Sequence, residues 1–222
     1  AAQPQVLLLL GGGDTEVTTA SLPILNEANL PMIGAPTGAE SLRQNGSPYL
    51  FHARASYSDA SLAITTQLYE LGISDIAVVY ADSPFGLEGL DGMRVEASRL
   101  AIRLVTAALP ASGALDGVVK LIVKAAPSAV VLIAPHAQSA RLIRHLRTAG
   151  IRPRLVGLSV VSIERLRAEL GESARGIGVA QVVPFPWGTK LELVRDYQAA
   201  LKSRGSTAPG YDSLEGCIYA RI

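Results

Sequence analysis

The groups in this sequence best placed for chemistry are hydroxyls and glycines at points where the chain should pass from a strand into a helix: Gly13-Asp14-Thr15 and Pro36-Thr37-Gly38. A helix start carries backbone N–H groups with no helical acceptor, and its dipole adds partial positive charge, so it suits an anion such as a carboxylate. The same residues have a plainer reading, in which Asp14 and Thr15 cap a helix and Gly38 turns the chain. Catalysis has no comparable home. The histidines are His52, His136 and His145, the last flanked by arginines on a helical pattern, and none stands with a convincing nucleophile. Gly11-Gly12-Gly13 approximates a dinucleotide-binding turn, but the third glycine of G-x-G-x-x-G would fall at Glu16, and Asp14 and Glu16 would repel a pyrophosphate. Ser159 lies in Gly157-Leu158-Ser159-Val160-Val161, which lacks the second glycine of a nucleophile elbow. Cys217 is alone, which excludes an intramolecular disulfide framework and a cysteine-rich metal site. The sequence thus points to no catalytic residue, no metal and no cofactor.

Composition narrows the partners. Lys plus Arg is 20 against 19 Asp plus Glu, and a net charge of +1 gives no field to gather a nucleic-acid backbone. Hydrophobic residues make up 49% and aromatics 5%, which suits an aliphatic core in one or two domains. No apolar run approaches the roughly 20 residues of a membrane helix. The start, Ala1-Ala2-Gln3-Pro4-Gln5, lacks the basic and apolar regions of a signal peptide.

The elements that must position these residues alternate. Val6 to Leu10 reads as a strand buried on both faces and ending at the glycines. A helix follows, closed by Asn29, and then a short strand, Pro31 to Gly34. A second helix runs from Asp59 to a left-handed cap at Gly72. Strands are expected at 76–80, 104–109, 129–134, 155–158 and 177–183, with helices between them at 86–101, 116–126, 138–149 and 162–170. Val118, Val119, Ile122 and Val123 should point inward. This alternation means a parallel sheet wrapped on both faces. The rhythm breaks at Pro184-Phe185-Pro186-Trp187-Gly188, which looks like a crossing between lobes, before a helix at Leu191 to Ser203 and another starting over Leu214 to Ile222.

Certain stretches are familiar in type and order: Leu22-Pro23-Ile24-Leu25-Asn26-Glu27-Ala28, Leu30 to Glu40, Phe51-His52-Ala53-Arg54-Ala55-Ser56-Tyr57, Ile76 to Tyr80 with Phe85-Gly86, Gly150, and Ser213-Leu214-Glu215-Gly216. With them the chain resembles the leucine/isoleucine/valine-binding branch of the type I periplasmic binding proteins, the receptors of ATP-binding-cassette (ABC) importers. The resemblance implies a two-lobed α/β fold, each lobe a doubly wound, mostly parallel sheet flanked by helices. Lobe 1 would be residues 1–56 and 184–222, and lobe 2 residues 57–183. Family members carry further segments ahead of the stretch resembling Val6 to Leu10 and after the one resembling Leu214 to Ile222, so lobe 1 is expected to be truncated at both ends. It further implies a periplasmic receptor, not an enzyme, that closes by a hinge over a small ligand in an interlobe cleft and delivers it to an ABC permease. The ligand would be an aliphatic or aromatic amino acid or a related small carboxylate. Other readings on such a fold are the sensing domain of a regulator and, from a different class, a small-molecule enzyme.

Site residues follow from the same likeness. Thr15, beside Asp14, matches a hydroxyl-bearing ligand contact, and Pro36-Thr37-Gly38 matches the turn that holds a carboxylate. Phe85 stands where relatives cover the ligand with an aromatic, and Tyr57 lies at the first crossing; ordinary packing is the alternative for both. His136, at a strand end, is either a rim contact or simply solvated. Ser159 stands where branched-chain amino-acid receptors commonly carry an acid that pairs with the ligand ammonium. A buried ammonium without a charge partner is costly, so either Asp14 or another carboxylate substitutes, or the ligand carries no α-amino group. The cluster Arg141, Arg144, His145, Arg147, Arg152 and Arg154 is a docking surface or a solvated helix face.

Overall fold

Helix α1 (Thr15–Ala28) begins where the Asp14 carboxylate accepts the Val17 N–H at 3.0 Å, and ends where Asn29 turns left-handed at φ 49°. A computed structural model describes residues 6–44, 46–206 and 208–221, and the chain falls into two units, residues 1–56 with 181–222 and residues 57–180. The start at Ala1 to Gln5 and the last position, Ile222, lie outside the described residues.

In the first unit, β1 (Leu9–Leu10), β2 (Met32–Ile33) and β3 (Leu50–Phe51) form a parallel sheet in that order, in the register Leu9 to Met32 to Leu50. Helix α1 connects β1 to β2. A single helical turn, α2 (Ser41–Gln44), precedes β3. Beyond residue 181, α8 (Glu192–Ser203) and α9 (Tyr211–Arg221) pack through Val194, Tyr197 and Leu214. The Pro184 to Gly188 stretch is pinned to α8, since the Gln198 side-chain amide donates to the carbonyls of Pro186 and Gly188 at 2.8 and 3.0 Å.

In the second unit, β4 (Asp75–Ala81), β5 (Arg103–Leu109), β6 (Ala129–Ile133), β7 (Arg154–Gly157) and β8 (Ile177–Val179) form one parallel sheet in the order β5-β4-β6-β7-β8. Its helices are α3 (Tyr57–Glu70), α4 (Pro84–Arg99), α5 (Asp116–Ala125), α6 (His136–Thr148) and α7 (Ile163–Leu170). The path steps one way from β4 to β5 and the other way from β5 to β6 and onward. Right-handed crossovers therefore put α4 on one face and α5, α6 and α7 on the other, so the sheet is doubly wound. The neighbours β4 and β6 send their connections in opposite directions, which opens a crevice at their carboxyl ends, where ligands of open α/β sheets bind. Leu132, Leu142, Ile143, Leu155 and Leu166 fill the core beneath it.

The structure departs from the sequence reading at several points. Of the strand expected over Val6 to Leu10, Leu9–Leu10 pair with β2 among the described residues, and Leu7 is 82% exposed in them. The strand expected over 177–183 stops at Val179, because β7, its neighbour among the described residues, leaves the ladder after Gly157 for a 3-10 turn at Ser159–Val161. Val123 is 53% exposed, since five helical residues beyond Val118 carry it about 140° round the axis, off the stripe that Val118 and Ile122 bury. Helix α6 begins at His136 rather than Gln138. The α2 turn and strand β3 were too short to leave a periodic signal.

Candidate functional site

The residues singled out in the first unit converge at the carboxyl edge of its sheet. Thr15 is the first residue of α1, and Thr37 follows β2. Their hydroxyl oxygens lie 2.7 Å apart, and Thr37 Oγ1 also accepts the Ala39 N–H at 3.2 Å. Thr15 is 2% exposed and Thr37 0%, so the pair is a buried polar unit. Asp14 beside it is exposed, Pro36 is half-buried and Gly38 is buried. One expectation is corrected here: Pro36-Thr37-Gly38 is not a helix start. The Thr37 N–H turns back to the Ala35 carbonyl at 2.7 Å, and α2 begins only at Ser41 and runs for four residues. Any donors at this turn are local amides and the Thr37 hydroxyl, without a helix dipole behind them.

Sequence reasoning missed what lies under this turn. Arg54, which follows β3, is 8% exposed and sends Nη1 to the Pro36 carbonyl at 3.2 Å. Its Nη2 reaches Glu215 Oε2 at 3.4 Å, and its Nε lies 2.9 Å from Oε1, a contact of charge without hydrogen-bond alignment. The Tyr219 hydroxyl donates to the same carboxylate. Burial first, and then Glu215, push the Tyr219 phenol well above its usual range. Gly34, at φ +70°, lies against this ring: a Cβ there would stand 2.4 Å from Tyr219 Cγ. Arg54 and Glu215 are separated by 161 residues, so no local pattern could join them. The available signal was the spacing of Tyr211, Glu215 and Tyr219, which places all three on one face of α9. His52 sits close by in sequence, facing the Leu42 carbonyl at 3.2 Å, and burial lowers its pKa below the ordinary imidazole value.

In the second unit, Tyr57 opens α3 and Phe85 lies in the first turn of α4, behind the Ser83 cap. Their rings meet edge to face at 5.1 Å, and both are buried. Phe85 thus follows β4, and His136 opens α6 after β6, so the two stand at the ends of the strands that border the crevice. His136 is not simply solvated, because its Nε2 lies 3.5 Å from Glu169 Oε1. Ser159 begins the 3-10 turn at the end of β7, one strand further along; that turn closes at Ser162, whose φ of 45° is unusual for a residue with a side chain. Two members of the basic cluster are tied down locally: Arg141 donates to the Pro110 and Ala111 carbonyls, both at 2.7 Å, and Arg144 to the Glu169 carbonyl at 2.9 Å. Among the described residues, no group of three or more His, Cys, Asp or Glu side chains gathers as a metal site would require.

Comparison with known proteins agrees with this architecture. A family model described as periplasmic binding protein matches residues 1–222. A possible leucine/isoleucine/valine-binding protein from Rhodopirellula baltica is 26% identical at a TM-score of 0.87, over 98% of this chain and 61% of its own. An extracellular ligand-binding receptor from Verminephrobacter eiseniae is 27% identical at a TM-score of 0.83, over 97% and 63% respectively. A leucine-binding protein from Thermotoga maritima, at 14% identity, shares the fold at a TM-score of 0.88, over 99% of this chain and 63% of its own. The chain therefore spans a little over three fifths of the length of these structures. Among curated protein sequences, none matches it.

Proposed function

The chain belongs to the periplasmic binding protein family, and from that premise we propose that it is a solute receptor of an ABC importer, working outside the cytoplasmic membrane and catalysing no reaction. The solute is a small carboxylate with an aliphatic or aromatic body, either an amino acid or its counterpart without the amine. It docks at Asp14, Thr15, Pro36, Thr37 and Gly38, while Tyr57, Phe85, His136 and Ser159 supply the second unit's contacts. Binding draws the two units together through the crossings near residues 56 and 181, and an ABC permease recognises the closed form.

The observation that carries this reading is the Thr15–Thr37 pair. A hydroxyl has one proton and two lone pairs. Either hydroxyl of the pair can donate to the other; in the arrangement where Thr15 donates, the Ala39 N–H takes the second lone pair of Thr37 Oγ1 and the Thr37 proton is the one left to donate to a carboxylate. The relatives support the class of solute, since one is described as a possible leucine/isoleucine/valine-binding protein. The direct test is equilibrium binding of amino acids and their deaminated counterparts, followed by recovery of the bound compound. Unchanged compound agrees with a receptor, and a converted product overturns that reading.

A further inference from the structure

We propose that Arg54 is a positioning residue for the solute site, held in that role by Glu215 and Tyr219; the proposal rests on the reading of the Thr15–Thr37 edge given above. The guanidinium joins two parts of the fold at once, the Pro36 carbonyl at 3.2 Å on one side and the Glu215 carboxylate on the other. A planar fork with donors on several edges can do this, whereas the point charge of lysine cannot reach both. Arg54 is itself fixed from behind, because Arg43 Nη2 donates to its carbonyl at 2.7 Å.

A second grip acts two residues earlier. The Tyr219 ring lies against the backbone at Gly34, with no room for a Cβ, and the hydroxyl of that ring returns to Glu215. The segment from Gly34 to Pro36 is thus held at its backbone face by Tyr219 of α9 and at its carbonyl by Arg54, which Glu215 of α9 anchors in turn, directly before the hydroxyl that the proposed site uses. A buried ion pair adds little net stability compared with an apolar pair of similar volume, yet its geometry is demanding. The effect of Arg54 therefore belongs to the placement of Thr37 and Ala39 more than to the folding free energy.

The test uses the full-length protein and the double variant Arg54→Met/Glu215→Met, with Arg54→Lys and Thr37→Ala beside it. Three quantities are read: the melting temperature without solute, amide hydrogen exchange at Thr37 and Ala39, and affinity for L-leucine, L-phenylalanine, isocaproate and hydrocinnamate. The double variant should keep its melting temperature within about 5 °C. Its Thr37 and Ala39 amides should exchange at least about tenfold faster, while amides elsewhere hold their rates. Affinity for whichever of the four probes binds most tightly should fall about tenfold or more. Wild-type exchange at these two amides, or wild-type affinity, overturns the proposal. Should the double variant not fold, Arg54→Lys is read by the same exchange and affinity criteria, since it keeps a charge for Glu215 and loses the reach to Pro36. Thr37→Ala separates the two claims: unchanged affinity there removes the site reading itself, whereas affinity lost there but kept in the double variant removes the positioning role alone.

Discussion

The hydroxyl oxygens of Thr15 and Thr37 lie 2.7 Å apart, joining the first turn of α1 to the segment that leaves β2. Neither side chain is open to bulk water, so the pair affects both stability and the proposed chemistry of the site, and the two effects can be measured separately.

Thr37→Ala leaves the Ala39 N–H without its hydroxyl acceptor and Thr15 without its hydroxyl partner. Leaving a buried polar group unpaired costs about 1–3 kcal/mol. Urea unfolding should show a loss of this size, and the loss for Thr15→Ala/Thr37→Ala should be smaller than the sum of the two single losses. Strict additivity would mean that the hydroxyls do not interact.

Gly89 packs so close to β6 that a Cβ would stand 2.6 Å from Ile133 Cγ2. Alanine gains about 1 kcal/mol over glycine in a helix, while overpacking a tight core costs about 1–3 kcal/mol. Gly89→Ala should therefore lower the melting temperature, and adding Ile133→Ala should cost less than it does in the wild-type background. Stabilisation by Gly89→Ala alone would contradict the packing described.

Stability should respond to pH in three separate windows. Burial lowers the His52 pKa, so the folded state prefers neutral imidazole; this stability is complete above about 6.5, the ordinary histidine value, and is lost as pH falls below it. Hydrogen bonds from the Ser128 side chain and backbone, with Arg103, lower the Asp75 pKa, so its contribution is present above the ordinary carboxylate value and is lost as pH falls through the lowered one. The Tyr219 phenol is raised, so its contribution is complete below about 10, its unfolded value, and is lost as pH rises beyond it. Melting curves against pH should show the alkaline loss vanish in Tyr219→Phe and the near-neutral acid loss vanish in His52→Gln. Unaltered profiles would refute these assignments.

Ser159 is one of the second unit's proposed solute contacts, at a position where the family resemblance leads one to expect an acid in branched-chain amino-acid receptors. If it faces the amine position of the solute, Ser159→Asp adds a charge partner for an ammonium and should shift preference toward amino acids over their deaminated counterparts. Calorimetric titration of both classes measures that ratio. A ratio unchanged by the substitution would place Ser159 away from the solute.

The order of elements was legible in the sequence because its punctuation is local. Asp14 and Asn29 bound α1, Gly72 closes the turn after α3, and the aliphatic run Ala129–Ile133, bounded by turn residues, reads as a buried strand and is one. The neighbourhood of Thr15 and Thr37 was legible only through family resemblance, since nothing local links two hydroxyls on different elements. What stayed hidden depends on long-range contact. The grip of Arg54 on Pro36 and Glu215 spans three separate segments, and the early end of β8 depends on where a neighbouring strand turns away.

In the proposed function this chain binds a small carboxylate at the Thr15–Thr37 edge. Its most direct test is a thermal-shift titration of the full-length wild-type protein and of Thr37→Ala with L-leucine, L-phenylalanine, isocaproate and hydrocinnamate. At about 100 times its dissociation constant a bound solute stabilises the fold by roughly 2.7 kcal/mol. At least one of the four should raise the wild-type melting temperature accordingly, and that rise should be largely lost in Thr37→Ala. No rise with any of the four, or an equal rise in Thr37→Ala, would contradict the claim.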